Sequence, residues 1–169
     1  MAVAANAHAV NLAIAALRTI EAGNAMDQSA LLAKLSQHTA HVTVIGLGYV
    51  GLPLLVEVAR AGFHVTGYDL IEERAASVNR GESYIKDVPS SILSELRAQG
   101  RIDATTDPRC LGRSDVVIIC VPTPLNKSRS PDNSYIVAAA EALLPHLHKG
   151  MLVVLESTTF PGFTREVLL

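Results

Sequence analysis

Five runs of β-branched and aliphatic residues punctuate this chain, and between them apolar positions recur at helical spacing. His41-Val42-Thr43-Val44-Ile45 predicts a strand over 42–46, followed by a helix over 49–61 that Gly62 closes. His64-Val65-Thr66-Gly67-Tyr68 predicts a strand over 64–69, then a helix over 71–79 that stops at Gly81. Beyond a loop through Tyr84, Asp87-Val88-Pro89-Ser90 starts a helix to about Gln99, with proline in its first turn and Gly100 just past its end. A modest strand over 102–106 and a short helical turn over 107–112 come next. Val116 to Val121 is continuously apolar, as a central parallel strand covered on both faces should be. After a polar, proline-containing loop over 122–133, Ser134 caps a helix to about His146, and 151–155 reads as a last buried strand. Strands alternating with helices imply one parallel sheet.

Residues 1–40 form a helical leader. Val10, Ile14 and Leu17 mark one helical face, Gly23-Asn24 breaks it, and Asp27 or Ser29 caps a second short helix through Leu31, Leu32 and Leu35. A packing helix pair, an oligomer contact and a partly disordered arm all remain open for this leader.

The first predicted strand runs straight into Gly46-Leu47-Gly48-Tyr49-Val50-Gly51. In that pattern Gly46 permits the tight turn, Gly48 lets bare backbone approach a diphosphate, and Gly51 lets the following helix pack closely. The first helical N–H groups then point at the anion. The expected fold is therefore α/β: a Rossmann-type doubly wound parallel sheet, a single dinucleotide-binding domain over 41–169. Asp69, at the tip of the second strand, stands where such a site needs a carboxylate for the adenosine ribose diol, which favours NAD over NADP. Arg74 tempers that reading, because an arginine there would also accept a 2′-phosphate. Asp69 also reads as an ordinary cap for the helix beginning near Ile71.

Composition narrows the class. A chain of 169 residues holds one well-packed domain, and 49% hydrophobic residues with a net charge of −2 fit a soluble α/β domain in the cytoplasm. With no basic stripe and no Trp, nucleic acid is excluded as a partner. No apolar stretch is long enough to span a membrane, and the Ala-rich start lacks the positive region of a secretory signal. Cys110 and Cys120 have neither metal nor disulfide-framework spacing, and Cys120 reads as a small core residue. His146 and His148 read as partners of terminal carbonyls and solvent, with no metal ligand among them.

Two more loops leave the carboxyl ends of predicted strands. Val121-Pro122-Thr123-Pro124-Leu125 is stiffened by proline, and Thr123 offers a hydroxyl. Glu156-Ser157-Thr158-Thr159-Phe160-Pro161-Gly162 sets three hydroxyls beside a carboxylate, suited to a ribose, water or substrate alcohol, or simply to capping a helix near Gly162.

These stretches, with Gly81-Glu82-Ser83-Tyr84-Ile85 and Pro131-Asp132 before Ser134-Tyr135, resemble the N-terminal NAD-binding part of the UDP-glucose/GDP-mannose dehydrogenase family from about Met26 to Leu169. The resemblance implies oxidation of the C6 alcohol of a nucleotide sugar to a carboxylate by two successive NAD, through a cysteine-bound thioester. It implies backbone contacts from Tyr49 and Val50 to the pyrophosphate, Asp69 on the adenosine ribose with Arg74 beside it, and Val121, Pro122, Thr123 and Glu156 lining the cofactor cleft. Thr158 matches the threonine that positions water and alkoxide near the reacting carbon. The motif forms favour a UDP-N-acetylhexosamine over UDP-glucose, and the full-length protein is expected to be a homo-oligomer. Neither Cys110 nor Cys120 lies in the family's cysteine motif, whose segment comes later in such enzymes. The expectation is a truncated fragment that binds NAD weakly and has no dehydrogenase activity. A stand-alone NAD-binding regulatory module is the alternative from another class. A β-hydroxyacid-type dehydrogenase leaves the Pro-Thr-Pro-Leu and Glu-Ser-Thr-Thr loops unexplained.

Overall fold

In the computed structural model, which describes residues 25–124 and 132–159 together with 162 and 164, all five runs become strands of one parallel sheet. They are β1 (His41–Ile45), β2 (His64–Tyr68), β3 (Ile102–Thr105), β4 (Val116–Ile119) and β5 (Leu152–Leu155). The order across the sheet is β3-β2-β1-β4-β5, with Val42 opposite both Val65 and Val116. The chain winds outward from β1 to β3, then returns to the other side of β1 with β4. That reversal opens a crevice at the carboxyl ends of β1 and β4, where this architecture binds ligands.

Period-two alternation sorts the strand residues onto two faces. Val42 and Val44 join Val65, Ile102 and Ile118 in the larger core, beneath α1 (Ala25–Ser36), α2 (Gly51–Arg60), α3 (Glu72–Arg80) and α4 (Ser90–Ala98), which contribute Leu31, Leu52, Val78 and Leu93. Ile45, Val117 and Ile119 face the other way, onto Leu111 of a 3₁₀ turn (Pro108–Arg113) and Ala139 and Leu143 of α5 (Ser134–Leu143). Thr43 points to this second face too, fully buried, and satisfies its hydroxyl against Ser114 at 2.6 Å. Two side chains meet the outer backbone of edge strand β3, and the first is Arg97, whose Nη1 donates to Ile102 O at 2.8 Å. The Asn79 amide donates to Ala104 O at 2.7 Å and accepts from Ala104 N at 3.0 Å, mimicking a neighbouring strand.

Element boundaries shift for identifiable reasons. Helix α4 begins at Ser90 with Pro89 as its N-cap residue, so the proline precedes the first turn, and Asp87-Val88 belong to the preceding turn. Ser134 is the first residue of α5 and does not cap it; its N–H donates to the Asp132 carboxylate at 3.0 Å, and Asn133 is the N-cap. The helix stops at Leu143 and tightens into a 3₁₀ turn over Leu144–His146, because Pro145 has no N–H to donate. Strand β4 ends at Ile119, two residues short of the apolar run. In the leader, α1 docks on the sheet through Leu31 and a Lys34–Asp115 ion pair. The helical face marked by Val10, Ile14 and Leu17 lies outside the described residues, as do Leu125, Pro131, Phe160 and Pro161.

One stability prediction arises from the start of β1 and β2. His41 and His64 are register partners with Nδ1 atoms 3.1 Å apart, and His41 Nε2 lies 3.0 Å from the Thr66 hydroxyl. Burial, then the neighbouring His64, hold the His41 imidazole below its ordinary value of 6.5. The unfolded chain therefore takes up this proton first. The stability contribution is complete above pH 6.5 and is lost as pH falls below it through the lowered folded value. Melting temperature is expected to fall between pH 7.5 and 5.5, and His41→Gln should flatten that slope.

Candidate functional site

The glycine turn is built by close approach. Gly46 N–H donates to Tyr68 O at 2.8 Å, and Ile45 O accepts from Cys120 N at 2.8 Å, which ties the turn to both neighbouring strands. Gly46 adopts φ +91°, and a Cβ there would lie 2.8 Å from the Cys120 carbonyl oxygen. A Cβ on Gly51 would fall 1.7 Å from Gly46 O, so the first residue of α2 rests directly on the turn. The third glycine thus serves helix-on-turn contact first and helix-on-sheet packing second. Leu47 is wholly buried in space left by Gly67, where a Cβ would sit 2.7 Å from Leu47 Cδ2.

Gly48 differs. Apart from its chain neighbours, no described residue lies within 4 Å of where its Cβ would be. Among the described residues none accepts a hydrogen bond from the N–H groups of Gly48, Tyr49 or Val50. Tyr49 is 84% exposed and Val50 61%. Three consecutive N–H groups, open space and the N-terminus of α2 are an arrangement that can accept an anion.

Asp69 clips the tip of β2 to this turn. Its carboxylate is 6% exposed and accepts from Leu47 N at 2.7 Å and Ile71 N at 2.9 Å, and Arg74 Nη1 donates to it at 3.2 Å. Asp69 is not the cap of α3, whose N-cap is Ile71 with no side-chain cap bond; its carboxylate closes the turn before that helix and lies beside the glycine turn through the Leu47 N–H. Arg74 is the predicted neighbour, with its charge already opposed by Asp69.

The other two loops lie at the same end of the sheet, after β4 and β5. Glu156 N–H donates to Ile119 O at 3.0 Å, and the Ser157 hydroxyl donates to Val121 O at 2.8 Å. Ser157 is therefore a staple between the loops, with its hydroxyl hydrogen committed to Val121 O. Val121 and Thr123 are half-buried, while Pro122 and Thr158 are exposed. Burial raises the Glu156 carboxyl above its ordinary value. Burial also pushes the Cys110 thiol up to about 11 and the Cys120 thiol up to about 12, so both stay protonated and unreactive. His148 Nε2 lies 3.1 Å from Ser114 O and Nδ1 3.0 Å from Lys149 O, an arrangement for backbone carbonyls.

Tyr84 carries a role that sequence reasoning left unassigned. Its hydroxyl donates to Leu47 O at 2.7 Å. The only signal was its place in the Gly81–Ile85 stretch, since nothing local shows a contact to a residue 37 positions away.

A 3-2-1-4-5 parallel sheet with an open glycine turn at its reversal defines a dinucleotide-binding α/β domain. The sequence profile of the UDP-glucose/GDP-mannose dehydrogenase family, NAD binding domain, matches residues 40–169, and the chain belongs to that family. Among curated relatives it is 39% identical over 127 residues to an NDP-N-acetyl-D-galactosaminuronic acid dehydrogenase of Ralstonia nicotianae, covering 75% of this chain and 29% of that protein. A UDP-N-acetyl-D-mannosamine dehydrogenase of Salmonella typhi is 37% identical, with 75% and 30% covered. The solved structure of a UDP-D-ManNAc dehydrogenase from Pyrococcus horikoshii superposes with a TM-score of 0.70 at 36% identity, over 75% of this chain and 30% of that one. The chain thus spans about three-tenths of the length of these relatives. NAD is the cofactor of the matched domain, and the open N–H groups with a carboxylate beside them fit its diphosphate and ribose. No described helix is long and apolar enough to cross a membrane.

Proposed function

We propose that this chain is the cofactor-seating part of a nucleotide-sugar 6-dehydrogenase acting on a UDP-N-acetylhexosamine. The observation that carries the reading is the run of N–H groups at Gly48, Tyr49 and Val50 that no described residue accepts, beside Asp69 and with open space at Gly48. NAD supplies the hydride acceptor when bound. The turn Gly46–Gly51 holds the diphosphate through backbone, and Asp69 accepts from the adenosine ribose hydroxyls with Arg74 beside it. Val121, Pro122, Thr123 and Glu156 would line the cofactor cleft, and Thr158, exposed on the loop after β5, would position the water and alkoxide. The names of the relatives, which act on N-acetylated sugars, support the substrate class. With both thiols buried and protonated, the chain has no nucleophile to carry a thioester and does not oxidise sugar unaided.

Calorimetric titration with NAD and NADP tests the cofactor reading. NAD is expected to bind about tenfold or more tightly than NADP, because a 2′-phosphate would face the Asp69 carboxylate while Arg74 is already paired. Tighter NADP binding would contradict it. Mixing the chain with NAD and UDP-N-acetylglucosamine is expected to yield no NADH, and measurable NADH would overturn the inactivity.

A further inference from the structure

Leu47 presents two polar backbone groups to the protein, and each has a dedicated side-chain partner. Its N–H is held by Asp69 at 2.7 Å, and its carbonyl by the Tyr84 hydroxyl at 2.7 Å. Its own side chain is wholly buried, so the residue has no freedom to swing. The carbonyl of Leu47 shares a planar trans peptide unit with the N–H of Gly48, and in such a unit C=O and N–H point in opposite directions. A hydrogen bond that fixes the carbonyl on the Tyr84 side therefore aims the Gly48 N–H the other way, and no described residue accepts it there. Tyr84 lies on the loop between α3 and α4, half-exposed, and it makes this contact from outside the glycine motif.

We propose that Tyr84 is a positioning residue for the diphosphate seat: by holding the Leu47 carbonyl it orients the Gly48 N–H towards the bound anion. This rests on the NAD-seat reading above and adds a residue to it. Tyr84 touches no cofactor atom in this role. Burial and the nearby Asp69 carboxylate keep the phenol protonated, so it remains a donor across the working pH range.

The test uses Tyr84→Phe, which removes the hydroxyl and keeps the ring, with calorimetric titration of the 169-residue chain against ADP-ribose and ligand-observed NMR titration against adenosine. ADP-ribose affinity is expected to fall about three- to tenfold, the worth of one hydrogen bond, while adenosine affinity stays unchanged. A purely structural role would lower both together, and that result overturns the proposal, as does unchanged ADP-ribose affinity. The Gly48 amide resonance supplies a second reading that needs no variant. In the wild-type chain it should move strongly downfield with ADP-ribose and little with adenosine. A Gly48 amide that does not respond to bound ADP-ribose overturns the proposal even if Tyr84→Phe fails to fold. Absence of ADP-ribose and NAD binding by the wild-type chain overturns the NAD-seat reading itself, and the proposal with it.

Discussion

Gly48→Ala is expected to raise the Kd for NAD by about tenfold or more while leaving the melting temperature within about 2 °C of wild type. Apart from its chain neighbours, the added methyl meets no atom of the described residues within 4 Å, so the described fold has no reason to object. It occupies the space where a diphosphate must approach the backbone. Gly51→Ala should do the reverse damage, striking the fold first. Its methyl would lie 1.7 Å from Gly46 O, in a turn pinned by the Gly46 N–H on Tyr68 O and the Leu47 N–H on Asp69. The turn or α2 must move, at a cost of about 3 kcal/mol or more, lowering the melting temperature by roughly 10 °C. Thermal melts beside NAD titrations of the two variants check this contrast. Equal destabilisation by both would show that the space at Gly48 is structural.

Asp69→Ala is the second large effect, and it strikes stability and binding together. It leaves the buried Leu47 N–H without an acceptor, frees the Ile71 N–H at the entry to α3, and strands Arg74. Losing charge-assisted hydrogen bonds to buried backbone costs about 2–4 kcal/mol, and the ribose diol loses its acceptor as well, so NAD affinity should fall about tenfold or more. Arg74→Ala is the informative comparison. That side chain is 35% exposed, so its loss should cost under about 1 kcal/mol. Denaturant titration of the two variants, followed by NAD calorimetry, measures both halves. A variant of Asp69 as stable as wild type would remove the clip from the account.

What was legible in the sequence was local. Val44-Ile45 running into Gly46, the apolar run from Val116, and Asp69 at a strand tip depend only on neighbours along the chain, and strand, turn and carboxylate stand where those patterns predict. The helix start at Ser134 was misjudged because Asp132, Asn133 and Ser134 are all good capping types, and only geometry selects the carboxylate that accepts the N–H. Ser157, Asn79 and Tyr84 were beyond local reasoning. Their partners Val121, Ala104 and Leu47 lie 36, 25 and 37 positions away, and the sheet order brings them together. Asp69 shows the same limit in milder form. As a lone carboxylate it reads as ribose ligand or cap; only the fold shows that it accepts from the Leu47 N–H, 22 residues earlier, and ties the strand tip to the glycine turn.

A crystal structure of the chain with NAD tests the central claim most directly. The account predicts diphosphate oxygens within hydrogen-bonding distance of the N–H groups of Gly48, Tyr49 and Val50, with the adenosine ribose against Asp69. A diphosphate bound away from the glycine turn, or a ribose that leaves Asp69 untouched, would contradict it.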